Sequence, residues 1–292
     1  MATVSIIIPH YNDVERLNVC LQALHAQLPI DGHEVEILVC DNSSSQDLSA
    51  TKAKFSASTR FLSETRRGAA HARNLGASES KGDILLFTDA DCVPDGNWIR
   101  KLTEFVREND YSGGRIELFS EHESESFNPY DQFERIFAFK QRSYVEEKNF
   151  AATANMGVLR STFLAIGDFD NDTGEDFDWG QRAKKLGIRC SYTEDASVKH
   201  PTRADWQGLW KKWRRLTIED YQNCHKKGLN PLRMVFRAVL IAFSPVIHLR
   251  SILATRGLSD FDMIKVAGVL IGLRAKRSML FLRLAITGRK SV

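Results

Sequence analysis

Three short apolar runs, each cut off by a polar cluster, constrain this chain more than any other feature. Residues 4–8 (VSIII) stop at Pro9-His10-Tyr11-Asn12, residues 35–40 (VEILVC) at Asp41-Asn42-Ser43, and residues 84–87 (ILLF) at Thr88-Asp89-Ala90-Asp91. Apolar runs this short read as strands buried on both faces. Val14, Leu17, Leu21 and Leu24 recur at helical spacing behind Asn12 or Asp13 as a cap, and residues 68–80 form an Ala-rich helical stretch. A short strand is expected near Phe61 and Leu62. Strands alternating with helices imply an α/β fold with a doubly wound, mostly parallel, Rossmann-like sheet. In such sheets ligands bind outside the carboxyl ends of the strands. Packing has no use for carboxylates at strand tips, so the pattern predicts a nucleotide or phosphate site there.

Asp89 and Asp91 admit two readings. Aspartate often occupies turns simply to hydrogen-bond the backbone. A pair of carboxylates at a strand end also suits a hard divalent cation, which takes oxygen ligands. The polar clusters ending the other two runs favour the cation.

Hydrophobic residues make up 43% of the 292 positions, enough for a real core and inconsistent with disorder. Formal net charge is +3, but it is unevenly spread. Residues 1–198 carry 21 Lys and Arg against 32 Asp and Glu; residues 199–292 carry 19 against 5. A basic tail on an acidic body points to an anionic partner. The acidic body and the lack of a binding motif disfavour nucleic acid. The five cysteines (Cys20, Cys40, Cys92, Cys190, Cys224) are scattered without a C-x-x-C pair, which predicts reduced thiols in the cytoplasm. Ile6-Ile7-Ile8 is broken at once by Pro9 and has no basic stretch before it, so no signal peptide is expected.

The middle of the chain is less regular. Residues 113–119 (GGRIELF) predict a strand, residues 121–126 a solvated acidic loop, and residues 133–144 one amphipathic helix. Residues 151–159 are small, as close approach to a ligand or another backbone would require; Asn155 there has either a sugar or acceptor contact or a backbone-bonding role. His10 is either a turn residue or part of the donor-site lining. Glu175, Asp176 and Asp178 open a helix at residues 174–182, where acids suit the dipole whatever else they do.

Past residue 205 the composition changes. Trp206, Trp210 and Trp213 interleave with Lys211, Lys212, Arg214 and Arg215, and apolar stretches follow at 234–249, 263–273 and 279–286. The longest charge-free run, residues 238–249, contains Pro245 and falls short of the roughly 20 residues a spanning helix needs. Helices lying in a membrane interface fit best, with a packed helical subdomain or a true span as alternatives. The expected division is therefore a catalytic domain at 1–204 and a helical, basic, membrane-associating tail at 205–292.

The segments VSIIIPHYND, EILVCDNSSSQD, RGAAHARNLGASESKGDILLFTDADC, NFAATANMGVLRSTFLAIGDFD, TGEDFDWGQRAKKLGIR and VKHP, in that order, resemble family 2 glycosyltransferases of the GT-A fold. The resemblance covers roughly residues 3–202. It implies an inverting single displacement from a nucleotide-sugar donor, usually a UDP-sugar, with Mg²⁺ or Mn²⁺. It assigns Asp41 to the base, with Pro9 and Tyr11 beside it, and Asp89 to the ribose. Asp91 becomes the metal ligand, and His200 a group that helps bind metal or diphosphate. Arg73 is placed near the donor, Glu175 near the acceptor, and Asp176 as catalytic base. Chemistry alone leaves Asp178 as a rival base, since it sits within one turn of Asp176.

The acceptor expected is a lipid-linked or polysaccharide glycan of the cell envelope, reached from the cytoplasmic face of the membrane by a peripheral, non-processive enzyme. The two competing readings are a nucleotidyltransferase making sugar nucleotides, which should carry a Gly-rich phosphate loop after Ile8, and an inactive membrane scaffold.

Overall fold

The computed structural model describes residues 2–121, 127–171 and 174–288. Residues 122–126, most of the expected acidic loop, lie outside the described part.

The chain forms two compact units: one of Met1–Glu117, Phe139–Asn171 and Glu175–His200, the other of Leu118–Ala138, Asp172–Gly174 and Pro201–Val292. In chain order the first elements are β1 (Ala2–His10), α1 (Val14–His25), β2 (His33–Asp41), α2 (Ser49–Phe55), β3 (Thr59–Ser63), α3 (Ala69–Glu79), β4 (Ile84–Thr88), β5 (Val93–Pro94), α4 (Trp98–Asn109) and β6 (Tyr111–Phe119). Then follow α5 (Pro129–Phe137), α6 (Gln141–Lys148), β7 (Asn155–Leu159), α7 (Arg160–Ile166), α8 (Glu175–Lys185) and β8 (Ser191–Pro201). Four helices close the chain: α9 (Trp206–Lys226), α10 (Pro231–Phe243), α11 (Pro245–Leu253) and α12 (Asp260–Thr287).

The first unit is built on one eight-stranded sheet, ordered β3-β2-β1-β4-β7-β6-β8-β5. β3, β2, β1 and β4 run parallel, with Ile6 opposite both Ile37 and Leu86. β7 is antiparallel to β4 and β6, and β5 to β8. The sheet is therefore mixed.

Alternation along the strands explains why the runs carry no polar face. Ile6, Ile8, Ile37, Val39 and Leu86 pack with Leu17, Leu21 and Leu24 of α1 and with Leu102 and Val106 of α4. Their neighbours Ile7, Leu38, Cys40, Leu85 and Phe87 pack on the opposite face with Ala70, Ala72 and Ala77 of α3 and with Trp179 of α8. Two covered faces require near-continuous apolar sequence. The Ala-rich character of α3 follows from this closeness: a Cβ on Gly76 would stand 2.5 Å from Ile7 Cγ2.

The single helix expected over 133–144 is two. Ala138 is extended and Phe139 has φ 47°, so α5 ends and α6 starts afresh. Within the first unit Phe139 then packs its ring against His200, centroids 4.3 Å apart.

In the second unit, Phe133 of α5 packs with Leu209 of α9, Ile252 of α11, and Val266, Leu270 and Leu273 of α12. Tyr221, Met234, Ala238, Phe281 and Leu284 form a further cluster. Side-chain caps start its helices: Asn128, Asp205, Asn230 and Ser259 each accept backbone N–H groups of the first turn. Glu134, fully buried, accepts from Lys212 Nζ at 2.6 Å and from the Arg203 backbone N at 2.9 Å.

The tail differs from expectation in one respect. α10 and α11 are separated only by Ser244, which keeps helical dihedrals, so Pro231–Leu253 forms a 23-residue apolar helical segment, long and apolar enough to cross a membrane. Pro245 occupies the first position of α11, where proline's fixed φ suits a helix. Phe236, Phe243, Val246 and Ile247 on this segment are exposed.

Leu86→Ala should test the central packing. Leu86 is fully buried in the sheet, and its truncation should lower unfolding free energy by about 3 kcal/mol, read from denaturant melts. A loss below about 1 kcal/mol would contradict the two-faced core.

Candidate active site

The carboxyl ends of β2, β1 and β4 are neighbours in the sheet, so the three polar clusters meet along one edge. At the first corner, His10 is buried, and the Asp13 backbone N–H donates to its Nε2 at 3.1 Å. That leaves the ring proton on Nδ1, which donates to Asp41 Oδ1 at 2.9 Å. His10 thus holds Asp41 rather than facing solvent. The Ser44 backbone N–H adds a bond to Asp41 Oδ2 at 3.2 Å. Burial would raise the Asp41 pKa, but hydrogen bonds from Ser44 and His10 outweigh it, and the carboxyl is held below its usual value. Tyr11, beside this corner, is 58% exposed; Pro9, at the end of β1, is half-buried.

Glu64 braces the same corner from the end of β3. Its carboxylate accepts from the Arg66 backbone N, Nε and Nη2 at 2.8, 3.1 and 2.8 Å. Its backbone N–H donates to the Asp41 carbonyl at 2.8 Å. The hydrogen bonds to Arg66 pull the Glu64 pKa down to about 2.

The second corner follows β4. Oxygen, nitrogen and sulfur atoms of Asp89, Asp91, Cys92 and His200 lie within 4.8 Å of one another. His200 Nε2 stands 3.6 Å from Asp91 Oδ2. The Cys92 thiol is fully buried, burial with Asp91 and Asp89 drives its pKa well up, and its soft sulfur suits a hard divalent cation less well than the oxygens do. Two carboxylates and an imidazole remain, a donor set that could hold Mg²⁺ or Mn²⁺.

Arg73 joins this corner to α8. Its guanidinium, 4% exposed, donates to Asp89 Oδ1 at 2.5 Å and to Glu175 Oε1. Burial disfavours its charge, yet Glu175 and Asp89 outweigh that and raise its pKa. Arg73 Nε is buried without a hydrogen-bond partner.

On α8, Asp178 is occupied structurally. It accepts from Arg182 Nε at 3.0 Å, while Arg182 also donates to the carbonyls of Ile166 and Asp168. Asp176, next to Glu175, accepts from the Phe177 backbone N–H at 2.8 Å. Asn155 is fully buried, bonded to Trp98 Nε1 and to the carbonyls of Arg115 and Ala196, which settles its backbone-bonding role.

The structure thus groups Asp41 with His10, and Asp89 with Asp91, His200, Arg73 and Glu175. Sequence reading did not single out Glu64, Cys92 as a neighbour of the acids, or the packing of Phe139 on His200. Glu64 bracing Asp41 and Phe139 packing on His200 depend on partners distant along the chain, while Cys92 adjoins Asp91 and only its burial comes from the fold.

Residues 5–167, more than half of the chain, match the model of glycosyl transferase family 2. The chain belongs to that family. This family 2 glycosyltransferase is 29% identical over 219 residues to the glycosyltransferase AglE of Haloferax volcanii, covering 72% of the chain and 71% of AglE. It is 23% identical over 205 residues to the glucosyl-dolichyl phosphate glucuronosyltransferase of the same organism, covering 60% of the chain and 65% of that protein. Among solved structures, the mannosyltransferase PcManGT from Pyrobaculum calidifontis, in complex with GDP-Man and Mn²⁺, is similar with a TM-score of 0.55 at 17% identity, over 98% of this chain and 76% of that one. That likeness places the chain in the same GT-A-type α/β fold.

Two outcomes follow from this geometry. Arg73→Ala leaves Asp89 and Glu175 uncompensated and should cost about 3 kcal/mol in chemical melts; a neutral result would refute the bridge. Glu64 has a folded pKa of about 2 against an ordinary 4.5. Its contribution to stability is therefore complete above pH 4.5 and drains away as pH falls toward 2. Glu64→Gln should flatten the acid limb of a melting-temperature profile, and an unchanged limb would contradict the assignment.

Proposed function

We propose that this glycosyltransferase moves a sugar, with inversion, from a nucleotide-sugar donor to a hydroxyl of a lipid-linked or polysaccharide acceptor at a membrane. One observation carries the reading: Asp89, Asp91 and His200 cluster at the carboxyl edge of the sheet, and buried Arg73 ties that cluster to Glu175 beside Asp176. Family membership removes the nucleotidyltransferase alternative.

Asp41, fixed by His10, would recognise the base, with exposed Tyr11 and Pro9 flanking it. Asp89 would meet the ribose while Arg73 keeps it in place. Asp91 and His200 would hold a divalent cation, which when bound offsets the charge of the donor diphosphate. The acceptor oxygen attacks the anomeric carbon as the bond to the diphosphate oxygen breaks, and that electron pair leaves with the nucleoside diphosphate. Asp176 would take the hydroxyl proton during the attack. The ion pair of Asp178 with Arg182 supports Asp176 over its rival. Glu175 would line the acceptor side.

The resemblance favours a UDP-sugar, while GDP-Man occupies PcManGT, so the base is a matter for a donor panel. The dolichyl phosphate in the name of the Haloferax relative supports a lipid-linked acceptor. The exposed apolar residues of Pro231–Leu253 and the basic tail support attachment at the cytoplasmic face of an anionic membrane.

The test is a panel of nucleotide sugars with Mn²⁺ or Mg²⁺, read by donor binding and by turnover. Asp176→Asn should retain donor affinity and lose about 10²–10⁴-fold in kcat. Asp178→Asn should keep most turnover, and Asp91→Asn should lose the metal-dependent rate. Equal loss of binding and turnover in Asp176→Asn would reject it as base, and a wild-type protein inert to every donor would sink the transferase assignment. Phe236→Glu with Phe243→Glu should reduce flotation with anionic vesicles, and undiminished flotation would reject that helix as the membrane contact.

A further inference from the structure

Trp213 of α9 carries two guanidinium groups against one ring. The Arg277 guanidinium lies 4.6 Å from the ring centroid and that of Arg274 lies 5.4 Å away. Both project from α12, three residues apart, so they share a helix face. Arg277 is 7% exposed, and its Nε donates to Thr217 Oγ1 at 3.0 Å.

Several cations of this unit have a carboxylate partner: Lys212 with Glu134, Arg215 with Glu219, Arg237 with Asp220. Among the described residues, neither Arg274 nor Arg277 has a carboxylate within ion-pairing distance. Two buried donors at the same spot, Arg274 Nε and Trp213 Nε1, also lack hydrogen-bond partners. Burial lowers the pKa of Arg274, and burial together with Arg274 lowers that of Arg277 to about 10.

Buried charges are ordinarily paired, because an unpaired one forfeits its hydration. The indole ring offers each cation some attraction, but it does nothing for their mutual repulsion and accepts no in-plane hydrogen bond. An anion with several acceptor oxygens would answer all three deficits. Phosphate meets guanidinium forks in matching geometry.

We propose that the face of α9 and α12 around Trp213 is a phosphate-binding site, and that its ligand is the phosphate of a lipid. The lipid source is favoured over soluble phosphate because the same unit exposes Phe236, Phe243, Val246 and Ile247 on an apolar helix. The site lies wholly within the helical unit and does not depend on the nucleotide-sugar chemistry.

The experiment uses the full chain, its Arg274→Gln variant, and Arg256→Gln, which removes the same charge from an exposed position. Arg274 is only partly buried, so the variant should fold; its melting temperature is the check. Probes are inorganic phosphate and diphosphate, followed by tryptophan fluorescence, and phosphatidylcholine vesicles with or without phosphatidic acid, followed by flotation. Arg274→Gln should weaken binding to phosphatidic acid vesicles about tenfold, with Arg256→Gln much closer to wild type. Equal losses in the two variants would overturn the site in favour of diffuse charge attraction. A wild-type protein indifferent to every phosphate probe would overturn it as well. A response to free phosphate that Arg274→Gln abolishes, without any preference for phosphatidic acid vesicles, would overturn lipid as the source.

Discussion

Arg73 is the interaction on which the site depends. A guanidinium removed from water is unfavourable by itself, and removing it beside two carboxylates reverses that balance. Asp89 comes from the end of β4 and Glu175 from the first turn of α8, far apart in sequence. Each carboxylate would repel the other without the cation between them. With it, the strand-end acids and the helix bearing Asp176 are held in one place. The arrangement is rigid because Arg73 sits on α3, which lies so close to the sheet that Gly76 leaves no room for a Cβ against Ile7.

The mixed sheet divides the labour. Its parallel half, β3-β2-β1-β4, sends three polar clusters to one edge because parallel strands all end on the same side. Its other half runs partly antiparallel, and β8 returns His200 to that edge from far downstream, opposite Asp91. Neither half alone assembles the cluster of Asp89, Asp91 and His200. The supporting polar groups, among them His10, Glu64 and Asn155, are buried and bonded, as polar atoms inside a core must be. His10 and Glu64 brace Asp41, and Asn155 ties Trp98 to the backbone of Arg115 and Ala196.

The helical unit has a different logic. Four of its helices start at the side-chain caps Asn128, Asp205, Asn230 and Ser259, and α10 and α11 leave much of their apolar surface exposed. Its excess of positive charge is not uniformly solvated. Some cations pair inside the unit, as Lys212 does with Glu134, while Arg274 and Arg277 face an indole ring instead of an acid.

Much of this protein was legible in its residues. Apolar runs ended by acids determined the α/β class and the sheet edge where those acids gather, because strand burial and side-chain hydration leave few other solutions. The order of the motifs determined the family, while the helical unit also takes in Leu118–Ala138, which composition did not mark. Only tertiary structure decided the rest. The resemblance placed Arg73 near the donor, but only the fold shows Asp89 and Glu175 closing around its guanidinium. Asn155 and His10 turned out to be supports, since burial is a property of neighbours and not of the residue. The split of residues 133–144 into α5 and α6, and the joining of Pro231–Leu253 into one apolar segment, also lay beyond local reading. Periodicity reports what a segment can bury, whereas the packing partners that settle where a helix breaks come from elsewhere in the chain.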